Sequence, residues 1–519
     1  MLHVARSARV ENSNVILALS LTTPYRQSLS ADARSPEQGL GGESTIDLLN
    51  HCVEKGESLG AEFVIARHED LTLRTISRHD EHWKNIMSKS RNGIGVSCYV
   101  DGVLGYSFTA ITDRENIDSA VATAVKMAKV SSETSTMRLP LAEMPQRREH
   151  RHRILSPRMH PSEVDQSSKM DLVQRVTDTA RSIVPDAKNI RGMYGELYGT
   201  KTVVNSDRSE ISWEFLICDL RVSIVARSDS GNAVVAFEGS GGTFGLEHFQ
   251  IKDKTPEAIG TLAGETIVGQ KKARMCPAGR FRALIESRLC GVLAHESFGH
   301  LSEADFVVTG LSPLTGKTGQ RLGTEHATIV DTGMPDVEKY GGLIVPFDDQ
   351  GTPATRTVVL QNGVLNHYLH DRGTARALGQ SPTGNARAVD FSFAPIVRMT
   401  NTYFEPGDLT HDEAMELLKT GVYAIGSYGG QVEGDGSFLF KALRGYWVEH
   451  GEIQYPILEV SLSGNILELL GRVEGATRDL RLWSGYFGGC GKHAQSPLPV
   501  GSGGPELLMD GVTFGGKAQ

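Results

Sequence analysis

Two histidines five positions apart place the strongest constraint on how this chain folds. The stretch runs from His295 through Glu296 to His300. On a regular α-helix, residues i and i+5 are about 500° apart, so their side chains lie roughly 140° out of register. The two imidazoles therefore meet only if the helix widens into a π-type turn, which stacks residue i over residue i+5. Gly299, next to the second histidine, is expected to make this distortion less costly through its backbone freedom.

The same stretch contains the side-chain types of a zinc hydrolase. Zinc takes neutral imidazoles as ligands, and a neighbouring glutamate such as Glu296 acts as a base toward the water that the metal activates. The spacing is one residue longer than the familiar H-E-x-x-H pattern. Because such a string fixes only three positions and arises easily by chance, ordinary core or surface histidines are the competing interpretation.

The flanking sequence favours a metal ion. Residues 280–286 are expected to form a strand, and a largely buried helix is expected to begin at Cys290. The apolar run 292–294 leads directly into the His-Glu pair, which is costly to bury without a partner. A bound metal ion would supply that partner.

Catalytic zinc usually has three protein ligands, so the two histidines need a third. Glu303 lies three residues after His300, on the same side of a helix, and Asp305 follows closely. Cys490, flanked by glycines, is the remote candidate: a flexible turn would expose it, and Lys492 would favour its thiolate. Glu303 is equally interpretable as a carboxylate that orients an imidazole, and Cys490 as an ordinary free thiol. The residues alone do not decide between these interpretations.

Several motifs resemble those of the TldD/PmbA peptidases, a family also known as modulators of DNA gyrase. The stretch from His295 to Asp305 resembles the motif of the TldD branch. Further matches follow in the family's order, at 348–353, 371–372, 383–387, 398–403 and 490–495. The resemblance extends from about residue 45 to the C-terminus and is stronger in the second half. Separate motifs in the correct order make it specific.

This resemblance implies a zinc-dependent metallopeptidase that hydrolyses peptide bonds in short or unfolded peptides. It implies that His295, His300 and Cys490 hold Zn²⁺ and that Glu296 is the catalytic base. The TldE or PmbA branch of the family has the same fold but lacks the metal motif. A chain that has the implied metal ligands and the glutamate therefore resembles the catalytic branch. The implied partner is a TldE/PmbA-like subunit in a heterodimer, or a second copy of this chain in a homodimer.

Two details follow from the resemblance. The resemblance implies that Glu303 and Asp305 do not bind the metal directly and lie either behind its ligands or on the substrate side. The chain departs from the family at His493-Ala494, where a small or acidic residue followed by glycine is more usual. We expect this departure to alter the local turn and to leave the ligand set unchanged.

Length and patterning predict an α+β protein of more than one domain. A chain of 519 residues exceeds what one core normally supports. Residues 1–44 contain a short apolar run and are interpreted as a disordered or targeting-like extension. A mixed α/β N-terminal domain is expected at 45–245, and a β-rich C-terminal catalytic domain at 246–519.

Local patterns predict individual elements within these domains. Helical periodicity indicates helices at 45–55, 116–131, 172–184 and 255–272. Alternating runs indicate strands at 61–66 and 71–76, and hairpins that turn at Asp101-Gly102 and at Asn362-Gly363.

Charge and composition exclude several classes of partner. The chain has 53 basic and 62 acidic residues, a net charge of −9, which gives no support for a nucleic-acid footprint. The basic stretch 145–168 is interpreted as a solvated loop. No apolar run approaches the roughly 18 residues of a membrane span. The six cysteines are scattered without a C-x-x-C pair, which is typical of a reducing compartment and predicts a cytoplasmic protein.

Two other functions are compatible with the ligand set. A deformylase-like zinc amidase also uses one cysteine and two histidines, but deformylases contain H-E-x-x-H and are far shorter. A non-catalytic regulatory or scaffold subunit with a structural zinc is the other alternative. Structural sites are usually closed by four protein ligands, and only three are convincing in this sequence.

Overall fold

The computed structural model of the chain describes residues 44–151, 155–433 and 436–515. The expectation for the N-terminal extension falls almost entirely on residues 1–43, which lie outside this part of the chain. Helices and extensive sheets confirm the predicted α+β class. Among the helices of the described residues, none is long and apolar enough to cross a membrane.

The N-terminal half is built on one long-stranded sheet. Its strands are β1 (Phe63–His79), β2 (His82–Val100), β3 (Val103–Thr109), β4 (Arg148–Arg151), β5 (Asn189–Asn205), β6 (Glu210–Arg227) and β7 (Ala233–Gly242). Their order is β3-β2-β1-β5-β6-β4, and β7 also pairs with β6. Asp101 and Gly102 join β2 to β3 with left-handed φ angles of 51° and 70°. This confirms the predicted hairpin and its tight turn.

Strand β1 is continuous, although the sequence predicts a break at residues 67–70. The charged side chains within it are buried, with Arg67 2% exposed and Glu69 fully buried. Arg67 and Lys201 each contact both Glu69 and Asp349, at distances of 3.0 to 3.4 Å. Because each buried charge has opposite partners, the strand continues where polarity alone indicates a loop.

Four helices cover one face of this sheet: α1 (Thr45–Ser58), α2 (Arg114–Thr134), α3 (Gln166–Ile183) and α4 (Pro256–Lys271). Each matches a predicted helix. Alternate residues of a strand point to opposite faces. On β6, Leu220 packs with α3 and α4, whereas Phe215 packs on the other face against Leu343 of the C-terminal half. Both faces are therefore buried.

Helix α4 follows the predicted domain boundary and packs on the N-terminal sheet. Its Ile259 and Ala263 belong to the same core as Val176 of α3. Gly260 lies so close to α3 that a Cβ atom there would be 2.7 Å from the carbonyl oxygen of Val176. The division between residues 245 and 246 stays a prediction.

The C-terminal half contains many shorter strands. In chain order they are β8 (Arg274–Met275), β9 (Gly279–Ile285), β10 (Ile329–Thr332), β11 (Arg356–Gln361), β12 (Val364–Leu365), β13 (Ala386–Arg387), β14 (Ile396–Val397), β15 (Asn401–Phe404), β16 (Gly421–Ile425), β17 (Gly430–Val432), β18 (Ser437–Lys441), β19 (Arg444–Glu449), β20 (Glu452–Leu458), β21 (Ser461–Asn465), β22 (Val473–Ala476), β23 (Arg481–Trp483), β24 (Cys490–Lys492), β25 (Gln495–Leu498), β26 (Gly501–Gly504) and β27 (Leu507–Phe514). The predicted hairpin at Asn362-Gly363 is confirmed between β11 and β12.

These strands form two main sheets and two short pairs. The larger sheet has the order β17-β18-β21-β27-β9-β16-β19-β20-β8, with β22 on β27. The smaller has the order β12-β11-β10-β15-β26-β23, and β13–β14 and β24–β25 are separate pairs. The helices of this half are α5 (Ser287–Val292), α6 (Ala304–Val308), α7 (Val337–Tyr340), α8 (Arg372–Leu378), α9 (His411–Leu418) and α10 (Ile466–Leu470). Short 3-10 helices occur at Pro161–Glu163, Leu246–Gln250 and His300–Ser302.

The helix that leads to the two histidines lies between the two main C-terminal sheets. It follows β9, in the middle of the larger sheet, and the side chain of Glu286 caps it by accepting a hydrogen bond from the backbone N–H of Arg288. Gly291 faces β26 of the smaller sheet so closely that a Cβ atom would overlap the backbone of Gly503. This packing sets the position of the histidines relative to both sheets.

Candidate metal centre

The widened turn predicted from the histidine spacing is present. After Val292 the α-helix becomes a π-helix over Leu293–Gly299. The backbone N–H of His300 donates to the carbonyl oxygen of His295, which is an i+5 to i hydrogen bond. The two imidazole rings meet edge to face, with centroids 5.1 Å apart. The five-residue step therefore brings the two side chains together.

Gly299 is required by packing and not by backbone freedom. Its φ of −56° and ψ of −57° are helical, and any residue adopts them. A Cβ atom at this position would overlap the Sδ atom of Met399, which is fully buried. The expectation that the flexibility of Gly299 eases the distortion is therefore wrong, because close approach of Met399 is what excludes a side chain.

We expect Gly299→Ala to lower the free energy of unfolding by about 1–3 kcal/mol, the usual cost of an extra carbon in a packed core. Chemical denaturation in the presence of a chelator measures the change without a contribution from metal binding. Gly269→Ala in α4 is the matched control, since no atom lies within 4 Å of the added Cβ. The control is expected to gain up to about 1 kcal/mol from helix propensity. Equal effects of the two substitutions would contradict the packing argument.

Cys490 reaches the two histidines from a distant part of the chain. Its Sγ atom lies 3.2 Å from Nε2 of His300. One ligand atom from each of His295, His300 and Cys490 lies within 4.8 Å of the other two. Cys490 is only 3% exposed and belongs to strand β24, so the expected exposed, flexible turn is wrong. Pairing with β25, where Cys490 faces Leu498, holds the cysteine in place.

The turn between β24 and β25 contains the predicted departure from the family. His493 and Ala494 have left-handed φ angles of 46° and 64°. Two consecutive left-handed residues make a tight hairpin turn in which glycine is favoured, because a Cβ atom is strained there. Ala494 therefore carries strain, because its side chain has a Cβ atom. The ring of His493 lies 5.5 Å from that of Phe306.

Charged groups behind the cluster orient His300. Its Nδ1 atom lies 2.9 Å from Oε2 of Glu303, which leaves Nε2 directed toward Cys490. The ammonium group of Lys492 contacts Glu303 at 3.0 Å and Asp305 at 2.7 Å. Lys492 therefore pairs with these two carboxylates.

The electrostatics of the cluster favour a thiolate. Burial opposes ionisation of Cys490, but His295 and His300 lower the pKa of its thiol to about 5. Burial also opposes the charged form of His300, but Glu303 and Cys490 raise the pKa of this imidazole well above its usual value. The pKa of Glu303 is lowered by His300 and Lys492 in spite of its burial. A thiolate is the form of cysteine that binds metals.

The donor set fits a metal ion. Nδ1 of His295 is buried with no hydrogen-bond partner among the described residues. A buried, unsatisfied nitrogen costs free energy that a ligand would recover. Two imidazoles and one thiolate suit zinc. The hydrogen bond from His300 to Glu303 is the kind of outer contact that commonly fixes a zinc-binding imidazole.

Glu296 lies where two cavities meet. Its Oε2 atom is 4.0 Å from Nε2 of His300, and its side chain is 31% exposed. The first cavity, of about 480 Å³, is lined by His295 and Glu296 together with Arg221, Arg288 and aromatic residues. The second cavity, of about 510 Å³, is lined by Glu296 and His300 together with apolar residues. Glu296 is therefore accessible from both sides of the three donor atoms.

Two buried arginines that bind backbone carbonyl groups in and just after the cysteine hairpin were not predicted from the sequence. Arg398 donates to the carbonyl oxygens of Cys490 at 2.7 Å and Gln495 at 3.2 Å. Arg387 donates to the carbonyl oxygen of Pro499 at 2.7 Å. Both lie in motifs that carry the family resemblance. Their roles depend on carbonyl groups about 90 to 110 positions away, and no local pattern indicates such contacts.

Comparisons with known proteins show which proteins this chain is similar to. Sequence profiles of the PmbA/TldA metallopeptidase match in three parts, the C-terminal domain at 278–516, the central domain at 160–271 and domain 1 at 82–128. A metalloprotease of Methanocaldococcus jannaschii is 34% identical over 83% of this chain and 92% of its own. A zinc metalloprotease TldD homolog of Saccharolobus solfataricus is 29% identical over 68% of this chain and 77% of its own.

A solved structure shares the fold. TldE from Thermococcus kodakarensis has a TM-score of 0.72 and 17% identity, covering 90% of this chain and all of that chain. The relatives named metalloprotease and the matching family profile define the chain as a metallopeptidase, a hydrolase that acts on peptide bonds. The chain belongs to the TldD/PmbA family, which confirms the resemblance of its motifs.

Proposed function

We propose that this metallopeptidase hydrolyses short or unfolded peptides with Zn²⁺ held by His295, His300 and Cys490. Glu296 is the general base. The observation that carries the proposal is the convergence of three donor atoms within 4.8 Å beside a carboxylate that two cavities reach. The name of the Saccharolobus solfataricus relative, a zinc metalloprotease, supports the choice of metal.

In the proposed reaction, the metal and the protein have different roles. Bound zinc would polarise the peptide carbonyl group and make a water molecule more acidic. The carboxylate of Glu296 accepts a proton from the attacking water and delivers it to the nitrogen of the departing amine. Glu303, behind the cluster, is fully buried and keeps His300 in one orientation.

An extended substrate fits the surroundings of Glu296. Tyr428 and Gly429 line the first cavity, and the following residues of β17, Gly430–Val432, line the second. Within the described residues β17 pairs only with β18, so its other edge is free of strand partners. A peptide without folded structure can pair with such an edge and place one of its bonds beside Glu296.

Access from both sides favours a peptidase over the two alternatives. A deformylase-like amidase needs room for a small acyl group on one side only, whereas both cavities here exceed 400 Å³. A structural zinc site is usually closed by a fourth protein ligand. Here the cavities beside Glu296 leave the site accessible. A TldE/PmbA-like chain, or a second copy of this chain, is the proposed partner, since the solved TldE has the same fold.

Cleavage of a random peptide mixture, analysed by mass spectrometry, tests the proposal. We expect new peptide termini with the zinc-loaded chain, alone or with a TldE-like chain, and none after chelation until zinc is restored. A stably folded protein substrate is the control and should stay intact, because its backbone is not available to β17. Absence of new termini under every zinc-loaded condition would overturn the proposed function.

A further inference from the structure

The wall of the first cavity contains two arginines, Arg221 and Arg288, beside Glu296. We propose that these arginines bind a carboxylate group of the peptide substrate, either its C-terminal carboxylate or an Asp or Glu side chain. The inference rests on the proposed function and adds a substrate class to it.

Arg221 is held from behind by a buried acid. Its Nε donates to Asp219 at 2.8 Å, and Asp219 is fully buried while Arg221 is 20% exposed. Asp219 also accepts the backbone N–H of Phe487 at 3.0 Å. The guanidinium lies 5.3 Å from the centre of the Phe237 ring. The acid and the ring therefore fix the guanidinium while one of its sides stays open to the cavity.

Arg288 repeats this arrangement. Its Nη1 donates to Glu238 at 2.6 Å, and Glu238 is 5% exposed while Arg288 is 26% exposed. The guanidinium lies 5.3 Å from the centre of the Trp483 ring. Its Nη2 reaches the carbonyl oxygen of Gly239, and a Cβ atom on Gly239 would lie 2.6 Å from Cγ of Arg221. The two arginines therefore flank one residue of the same wall.

The guanidinium donors that remain unused favour an anionic ligand. A guanidinium has five N–H donors in a fork that matches a carboxylate, and these bonds use one on Arg221 and two on Arg288. Among the lining residues in the described part of the chain, Glu296 is the one carboxylate. No second acid therefore competes for the two arginines from the cavity side.

Among the described residues, no arginine lines the second cavity. Leu301, Phe306 and Leu311 line it, and the ammonium group of Lys492 there is already paired with two acids. The carboxylate is therefore recognised on one side of Glu296 only. This asymmetry predicts a direction for the bound peptide and a preference for an acidic group at a fixed distance from the cleaved bond.

Binding to the Glu296→Gln variant, loaded with zinc, tests the inference apart from cleavage. The probes are fluorescent hexapeptides of one neutral sequence. One has a free C-terminal carboxylate and one has a C-terminal amide. The others have the amide and a single Glu, placed at a different position in each peptide. We expect the free acid, or one of the Glu peptides, to bind at least about tenfold tighter than the neutral amide, since hydrogen bonds to charged groups are strong. Which of the two gains affinity distinguishes the terminal carboxylate from the side chain.

A paired substitution then assigns the preference to the arginine. Arg288→Met combined with Glu238→Gln removes the guanidinium together with the buried acid that it pairs with, and it should reduce the ratio of affinities toward one. Arg175→Met with Glu257→Gln removes an exposed pair between α3 and α4 and should leave the ratio unchanged. The inference would be overturned if the Glu296→Gln variant bound all peptides equally or bound none measurably. It would also be overturned if the ratio of affinities stayed unchanged after the Arg288→Met and Glu238→Gln substitutions. Cleavage of neutral peptides by the wild-type chain would leave the proposed function standing in each case.

Discussion

Glu296→Gln is expected to lower kcat/KM for peptide hydrolysis by about 10²–10⁴-fold, the usual contribution of a general base. Glutamine has nearly the same shape as glutamate but accepts no proton at neutral pH. Because Glu296 is not one of the three clustered donors, the variant should bind zinc with the same stoichiometry as the wild type. Steady-state kinetics on one cleaved peptide, together with metal analysis of the same sample, measures both quantities.

A second glutamate provides the control for this substitution. Glu265 lies exposed on α4, outside both cavities. Glu265→Gln changes the net charge by the same amount and is expected to leave kcat/KM unchanged. If Glu296→Gln retained zinc and wild-type activity, another residue would have to supply the base. If it lost zinc, Glu296 would act on the metal site, and the loss of activity would not identify a base.

Cys490→Ser is expected to weaken zinc binding by more than about 100-fold, beyond the 10–100-fold typical of losing an outer partner of a metal ligand. The substitution replaces a thiolate with a hydroxyl group that stays protonated and binds zinc poorly. Since a metal that binds only the folded state stabilises it, the variant should also lose the rise in Tm that zinc gives the wild type. Competition with a chromophoric chelator measures the affinity, and thermal unfolding with and without zinc measures the stabilisation.

Cys290 offers the matched control for the cysteine. Cys290 is fully buried in α5, close to the two histidines, but it is not one of the three clustered donors. Cys290→Ser buries a hydroxyl group and should lower stability by about 1–3 kcal/mol without changing zinc affinity. Equal zinc affinities of the Cys490→Ser variant and the wild type would exclude the cysteine as a ligand, and the two histidines would then need another third group.

The local geometry of the site could be predicted from the sequence because nearby residues determine it. The separation of His295 and His300 in sequence allows their side chains to meet only through a widened turn, and the backbone forms that turn. Asp101-Gly102 specifies its hairpin for a similar reason, since two left-handed residues in succession allow few other conformations. In both cases the constraint acts over a few positions of one chain segment.

The identity of the third donor atom could not be predicted from nearby residues. Glu303 and Cys490 are both reasonable partners for the histidines by residue type, and the family resemblance favoured the cysteine. The structure places Cys490 against His300 and Glu303 behind it, on the opposite ring nitrogen. Cys490 and His300 are 190 residues apart in the chain, and they meet only because the fold places the β24–β25 hairpin beside His300. The packing against Gly299 and the ion-pair partners of Lys492 could not be predicted for the same reason, because both depend on contacts with distant residues.

The sequence by itself determined the family, the α+β class, the widened turn and the set of side chains available for chemistry. These depend on residue identity and on hydrogen bonds between near neighbours, which the order of residues specifies directly. Only the tertiary structure decided that Cys490 is buried beside the histidines, that Met399 excludes a side chain at position 299, and that two arginines share one cavity wall with Glu296. Such contacts join segments far apart in the chain, and their formation depends on how whole sheets pack, which no short pattern of residues encodes.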